Sequence, residues 1–257
     1  MTENKKRYSW RKIINPWRKI REKLYILKNE QKSVNKLSYM LHTELPPQPF
    51  QGNPDAPIWF LALNPGYSKQ TDKYPESDAD YYKNHKDRRK AMLNQLKFKK
   101  SGKHWHYVLD NEDGNYSKEW FKKHFFKDMG IDENNVDKNI FILQALGYAS
   151  ESFNGDLNKI TEAFPHMRFA QKLVRWGLRH VKKIVIARIN KYWQNILKID
   201  RKNKKIQQNV YFLSSYMNIV FTSNNILNWA KEQAGMPREQ NKSESAAELK
   251  KIIEKSK

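Results

Sequence analysis

Cysteine is missing altogether from the 257 residues. Its absence excludes disulfides, thiolate zinc sites, iron–sulfur clusters and a cysteine nucleophile. Long apolar runs are missing too: none approaches the ~20 residues needed to span a bilayer, so no membrane span is expected. The first residues, Met1 to Ile14, are basic, but no apolar signal-peptide core follows them, and a cytoplasmic location is the expectation. There is no P-loop, no Gly-x-Gly-x-x-Gly and no Gly-x-Ser-x-Gly, which removes the usual support for nucleotide triphosphatases, dinucleotide enzymes and α/β-hydrolases. No cofactor is called for, and no internal repeat occurs.

Acidic residues are in short supply, 27 Asp and Glu against 49 Lys and Arg, a formal charge of +22. Such an excess costs self-repulsion in the folded state, and a polyanion relieves it. Nucleic acid is the expected partner; an anionic membrane surface and a merely lysine-rich composition are the alternatives. Apolar residues make up 39% and aromatic ones 13%, with eight tryptophans, enough to build a packed core.

Residues 1–45 read as a basic helical arm. The first forty hold twelve Lys and Arg against three Glu. Asn15-Pro16 has the form of an N-cap with proline at the first helical position. Trp10, Ile13, Trp17, Ile20, Leu24 and Leu27 recur at three- and four-residue spacing, which predicts a turn and then a helix from 16 to about 30. The Pro46-Pro47-Gln48-Pro49 stretch marks a boundary. Residues 46–236 then carry four short, wholly apolar runs: 58–63, 140–143, 184–187 and 210–213. Runs of this kind read as strands buried on both faces of a parallel sheet. Met167, Ala170, Val174, Leu178 and Val181 form a helical stripe between the second and third, and Lys86 to Leu96 reads as a further helix. Strand and helix in alternation predict an α/β fold with right-handed crossovers. Residues 237–257 read as a charged tail, with a frayed helix over 246–255.

The strongest local signal is Leu63-Asn64-Pro65-Gly66-Tyr67-Ser68, directly after the first apolar run. Proline and glycine force a sharp turn, which holds the Asn64 carboxamide, donor and acceptor at once, at the carboxyl end of the strand, where ligands of α/β sheets bind. Here the chain resembles the uracil-DNA glycosylase superfamily. Ala62-Leu63-Asn64-Pro65-Gly66 is similar to the Gly-Ile-Asn-Pro-Gly of its thymine- and mismatch-directed branch. More narrowly, Pro49 to Pro57 and Gly147-Tyr148-Ala149-Ser150-Glu151-Ser152-Phe153 look like an uncharacterised bacterial branch of that superfamily. The resemblance implies a three-layer α/β/α sandwich around a central four-stranded, mainly parallel sheet, DNA rather than RNA as partner, and action on an extruded base. It implies that Asn64 positions the hydrolytic water and that Pro65 and Gly66 shape a roomy pocket. Gln144, ending the second strand, would read the base, and Asn190-Lys191-Tyr192-Trp193-Gln194 stands where a Gly-Lys-x-Ala-Gln segment is common.

The chain departs from the pattern after the fourth strand. Where active uracil enzymes carry His-Pro-Ser-Pro, this sequence has Ser214-Ser215-Tyr216-Met217-Asn218 and then Thr222-Ser223-Asn224-Asn225, leaving Ser214 and Asn218 as the hydroxyl and amide available to phosphate. A histidine usual in the bacterial branch is replaced by Ala149. Tyr67, Tyr148 and Phe153 are the aromatic candidates for contact with a base. Three functions stay open: a glycosylase with degenerate motifs, a nucleic-acid-binding protein without catalysis, and a binder of a small nucleobase-like ligand. His104 and His106 would share a strand face but lack a third metal ligand. Asp110, Glu112 and Asp113 lack calcium-loop spacing and read as a solvated turn.

Overall fold

The apolar run Ile58–Ala62 becomes strand β2, and its alternation sets the layering. Trp59 and Leu61 enter one hydrophobic core, with Phe141, Leu143, Ile184, Ile186, Val210 and Phe212. Ile58 and Phe60 enter another, with Ile140, Ile142, Val185, Tyr211 and Leu213. A strand buried on both faces carries no polar side, which is why these runs lack polar alternation. The computed structural model describes residues 9–20, 25–34, 41–151, 164–180, 182–187, 191–197, 204–215 and 219–256.

The fold is α/β with a mixed six-stranded sheet. Besides β2 its strands are β1 (Phe50–Gly52), β3 (Ile140–Gln144), β4 (Lys183–Ile186), β5 (Val210–Leu213) and β6 (Ile226–Asn228). Their order is β1-β3-β2-β4-β5-β6. β2 pairs parallel with both β3 and β4, and β4 pairs parallel with β5. β1 runs antiparallel on β3, and β6 antiparallel on β5. The expectation of a four-stranded sheet is therefore corrected to six. The two added edge strands have three residues each, too few to show a period. β1 also ends on Gly52 at φ +92°, where a Cβ would lie 2.6 Å from His106 Nε2.

Helix Pro165–Arg179 packs Met167, Ala170, Leu173 and Val174 on the first core. Helix Tyr116–Phe125 and helix Asp78–Asn84 bring Phe121, Phe125, Tyr81 and Tyr82 to the second. The expected charged tail is instead a 17-residue helix, Arg238–Glu254. Its Ala246, Leu249 and Ile253, at helical spacing, join the second core. Buried Asn241 accepts from the Asn228 backbone N–H and donates to its carbonyl, fixing that helix to β6.

The N-terminal arm differs most from expectation. Asn15 does cap a turn, its side chain accepting from Trp17 N at 3.0 Å. That turn is a 3₁₀ segment, Pro16–Lys19, and the chain is extended at Ile20. The physical reason is packing. Trp10, Trp17, Ile20 and Leu27 are anchors in the first core, and a spaced set of anchors satisfies the same periodicity as a helix face. No described helix is long and apolar enough to cross a membrane.

Beyond the anchors, Glu30 is fully buried beside His166 and Tyr148. Its carboxylate accepts from the His166 backbone N–H at 3.0 Å, from His166 Nδ1 at 2.8 Å and from the Tyr148 hydroxyl at 2.8 Å. His166 Nε2 accepts from Gly147 N at 3.2 Å, so the ring proton sits on Nδ1. The Tyr148 hydroxyl in turn accepts from Leu27 N. A buried carboxylate is tolerated only when hydrogen-bonded in this way. Tyr148→Phe removes one donor from Glu30 and the acceptor of Leu27 N. It should cost about 1–3 kcal/mol in urea unfolding; an unchanged midpoint would show that the arm is not held by this network.

Candidate functional site

The carboxyl ends of β2 and β3 are joined by backbone hydrogen bonds that continue past the strands. Ala145 N donates to Ala62 O, Leu146 N to Leu63 O and Ser150 N to Pro65 O. Trp193 is fully buried and donates through Nε1 to the same Ala62 carbonyl at 2.9 Å. At the centre of this seam the Asn64 carboxamide nitrogen donates to Ser150 Oγ at 2.7 Å and to Pro65 O at 2.9 Å. Asn64 Oδ1 has no hydrogen-bond partner among the described residues, so the side chain is oriented through its nitrogen and offers its oxygen.

Asn64 belongs to the wall of a cavity of about 480 Å³ beyond the ends of β2, β3 and β4. Its floor is Phe60, Ala62, Ile142, Gln144 and Ala187 from the sheet. Asn64, Pro65 and Gly66 form one side, with Ser150 and Glu151 next to them. Tyr116, Ser117, Trp120 and Phe121 of the Tyr116–Phe125 helix close the opposite side. Ala62 and Gln144 are register partners, and the small alanine leaves room beside the glutamine. Gly66 is exposed and nothing stands within 4 Å of where its Cβ would be, so glycine is not required there by crowding.

Of the residues singled out in the sequence, Asn64, Pro65, Gly66 and Gln144 share this cavity. Tyr67 does not line it; its ring stacks on His42, with centroids 3.4 Å apart. Tyr148 is not on the wall either, being fully buried and bonded to Glu30. Burial and the nearby carboxylate push its phenol pKa up. Ser214 lies at the end of β5, where its hydroxyl donates to Asn225 Oδ1 at 2.9 Å, away from the wall. Ser223, in the same closing region, is held by Asp128 through its N–H and hydroxyl. Phe153 and Asn218 lie outside the described residues, as does Asn190.

Reasoning from the sequence missed Gln48, Gln51, Tyr116, Ser117, Trp120 and Glu151 as wall residues. Glu151 had a local signal inside the Gly147–Phe153 segment, and Gln51 one inside the Pro49–Pro57 segment. The Glu151 carboxylate pairs with Lys69 at 2.7 Å and lies 3.6 Å from His42 Nε2. His42 reaches this place because its backbone pairs with Ala149, a contact between distant parts of the chain. An imidazole thus stands one residue removed from the wall, and among the described residues no histidine lines the cavity itself. His104 and His106 are not on a strand; both face Asp137, His106 Nδ1 at 3.1 Å from it. Burial holds His106 below the ordinary imidazole pKa, against the pull of Asp137. Among the described residues no group of three such side chains is placed to hold a metal ion. Glu112 and Asp113 are engaged separately, with Tyr81 and Arg88 and with Lys118.

No protein-family model, curated protein or solved structure matches the chain. The geometry of the site is therefore what bears on function.

Behind the wall, Asp78 is buried and accepts from Ser68 N at 2.8 Å and from the Ser117 hydroxyl at 3.2 Å. Burial raises its pKa above the ordinary 3.8, more than these hydrogen bonds and His42 lower it. Above that ordinary value the folded state then binds more protons than the unfolded chain, so the carboxyl removes stability as pH rises. Asp78→Asn, which never ionises, should gain on the wild type between about pH 4 and pH 7 in urea midpoints. A stability difference that is constant across that range, or that moves the other way, would contradict this.

Proposed function

We propose that the cavity receives a nucleobase extruded from a nucleic acid strand, and that the chain is a uracil-DNA glycosylase-like α/β/α sandwich. One observation carries the reading: Gln144 ends β3, Asn64 stands in the turn that leaves the adjacent parallel strand β2, and both line one cavity with aromatic walls. Ligands of parallel α/β sheets bind beyond the carboxyl ends of the strands, and about 480 Å³ lies within the range of small-ligand sites. Carboxamides pair with the donor and acceptor edges of bases. Removing a base from the stack costs a few kcal/mol, and contact with Tyr116, Trp120 and Phe121 offsets it, since base–aromatic stacking contributes about 1–3 kcal/mol per base. The charge of +22 supplies the attraction to phosphate, and DNA is the preferred strand.

The chemistry available at the cavity favours binding over fast hydrolysis. Asn64 Oδ1 can orient a water, but a carboxamide does little to deprotonate it. Glu151 brings a carboxylate to the wall, where it is engaged by Lys69 at 2.7 Å. Hydrolysis of an N-glycosidic bond is the second reading, supported by these two oxygens on one wall.

Two measurements test the readings separately. Anisotropy titrations on a mismatch-containing duplex should show log affinity falling with log salt at about −0.9 per phosphate contacted; a flat dependence, or no binding at low salt, contradicts the nucleic-acid reading. For hydrolysis, duplexes carrying uracil, hypoxanthine, ethenocytosine or mismatched thymine should yield abasic product with stoichiometric protein. Asn64→Ala should lower that yield about tenfold or more even at saturating protein, where lost affinity does not limit it, because its effect there is on the oriented water. Absence of product from all four duplexes removes hydrolysis and leaves binding in place.

A further inference from the structure

His42 Nε2 is buried and has no hydrogen-bond partner, although the rest of the residue is tightly held. The His42 backbone N–H donates to Ala149 O, and the ring stacks on Tyr67 with centroids 3.4 Å apart. Nδ1 lies 2.7 Å from Glu44 Oε1. A carboxylate only accepts, so Nδ1 carries a proton. Nε2 stands 3.6 Å from Oε1 of Glu151, a residue of the cavity wall. Lys69 engages the other Glu151 oxygen, Oε2, at 2.7 Å, which leaves Oε1 to the imidazole. His104 Nε2 and His106 Nε2 are also buried without partners, but their carboxylate neighbours, Glu133 and Asp137, do not line the cavity.

An unpaired buried polar atom destabilises the folded protein. Nε2 without a proton and a carboxylate oxygen face each other as two acceptors, and one proton between them satisfies both. At 3.6 Å the pair is just beyond hydrogen-bond length, and contacts of catalytic groups commonly close only around bound substrate. We propose that His42 stores the proton released by an attacking water and returns it through Glu151 to the departing base. This inference rests on the hydrolytic reading of the cavity and names the group that handles its proton. The C1′–N bond breaks with its electron pair passing to the base nitrogen, and the water oxygen bonds to C1′. The water proton goes to Glu151 and on to His42 Nε2, and comes back by the same route to the base nitrogen, so no further reactant is consumed. While the ring holds two protons, each nitrogen has a carboxylate to donate to, Glu44 at Nδ1 and Glu151 at Nε2. The remaining charged groups around it are Lys69, on Glu151, and Asp78, where burial raises the pKa and His42 pulls it down. His42 is not on the wall, so it is a positioning residue that acts through Glu151.

The test uses the full chain at saturating concentration on a duplex from which the wild type releases a base, with abasic product as the readout. His42→Phe keeps a ring against Tyr67 and removes both nitrogens; it should lower the yield about tenfold or more, as loss of an acid–base group does. His42→Ala should show a similar loss that added imidazole restores and added pyrrole does not, since pyrrole fills the same space but has no second nitrogen to take a proton. Glu44→Gln should lower the yield several-fold in the wild-type chain and leave His42→Phe unaltered, because it acts through the ring. That pair serves if the alanine variant does not fold. Full yield from His42→Phe, rescue by pyrrole as good as by imidazole, or a Glu44→Gln loss that is the same with and without the imidazole overturns the proton store while hydrolysis stands. Absence of product from the wild type overturns hydrolysis and the store together.

Discussion

The seam between the turns that leave β2 and β3 is what the site depends on. Three backbone hydrogen bonds carry the parallel pairing beyond the last register pair, Ala62 with Gln144. Ser150 then completes it by taking the Asn64 carboxamide nitrogen. A parallel pair has no hairpin to fix its ends, since its strands are joined by long crossovers. Here the ends are fixed by side chains and by chain segments from elsewhere. Without that fixing, Asn64 would be one more exposed turn residue; with it, its side chain is held on the wall of the cavity.

The basic arm is part of this fixing and not an appendage. Trp17 packs against Tyr148, with ring centroids 5.5 Å apart, and a Cβ on Gly147 would come within 2.7 Å of the Trp17 ring. Gln48 N bonds Gly147 O, and His42 N bonds Ala149 O. Glu30, through Tyr148 and His166, anchors the same turn from below. The Gly147–Ser150 segment is thus held on one side by the arm and on the other by Asn64. A glycine at 147 follows from that close approach, and the polar groups buried there are satisfied as a network, which makes it rigid as long as every member is present.

Much of the sheet could be read from the sequence because its strands are uniformly apolar. Val210–Leu213 matches to the residue, and the Lys86–Gln95 helix begins where its pattern begins. The edge strands could not be read: Phe50-Gln51-Gly52 and Ile226-Leu227-Asn228 are too short for a period to emerge, and they exist because a neighbour offers unpaired backbone groups. The arm's spacing of Trp10, Trp17, Ile20 and Leu27 had two physical solutions, and packing selected separate anchors over one helix. At the site, Asn64 and Gln144 carried a signal because each ends an apolar run. Trp120 and His42 carried none, since tertiary pairing alone brings them there. Tyr148, a candidate for contact with a base, instead faces away, its hydroxyl spent on Glu30 and Leu27.

A division of labour follows from the two cores. The face carrying Trp59, Leu61 and Trp193 is closed by the arm and by helix Pro165–Arg179. The opposite face opens at the carboxyl ends of the strands, where Ala62 and Ala187 are too small to fill the space below Trp120. The most direct test of the account is a structure of the full chain bound to a short duplex with one mismatched pair. It should show one base turned out of the stack and seated between Trp120 and the Asn64 turn, within hydrogen-bond distance of Asn64 and Gln144. A duplex bound with every base stacked and no base in that cavity would contradict the account.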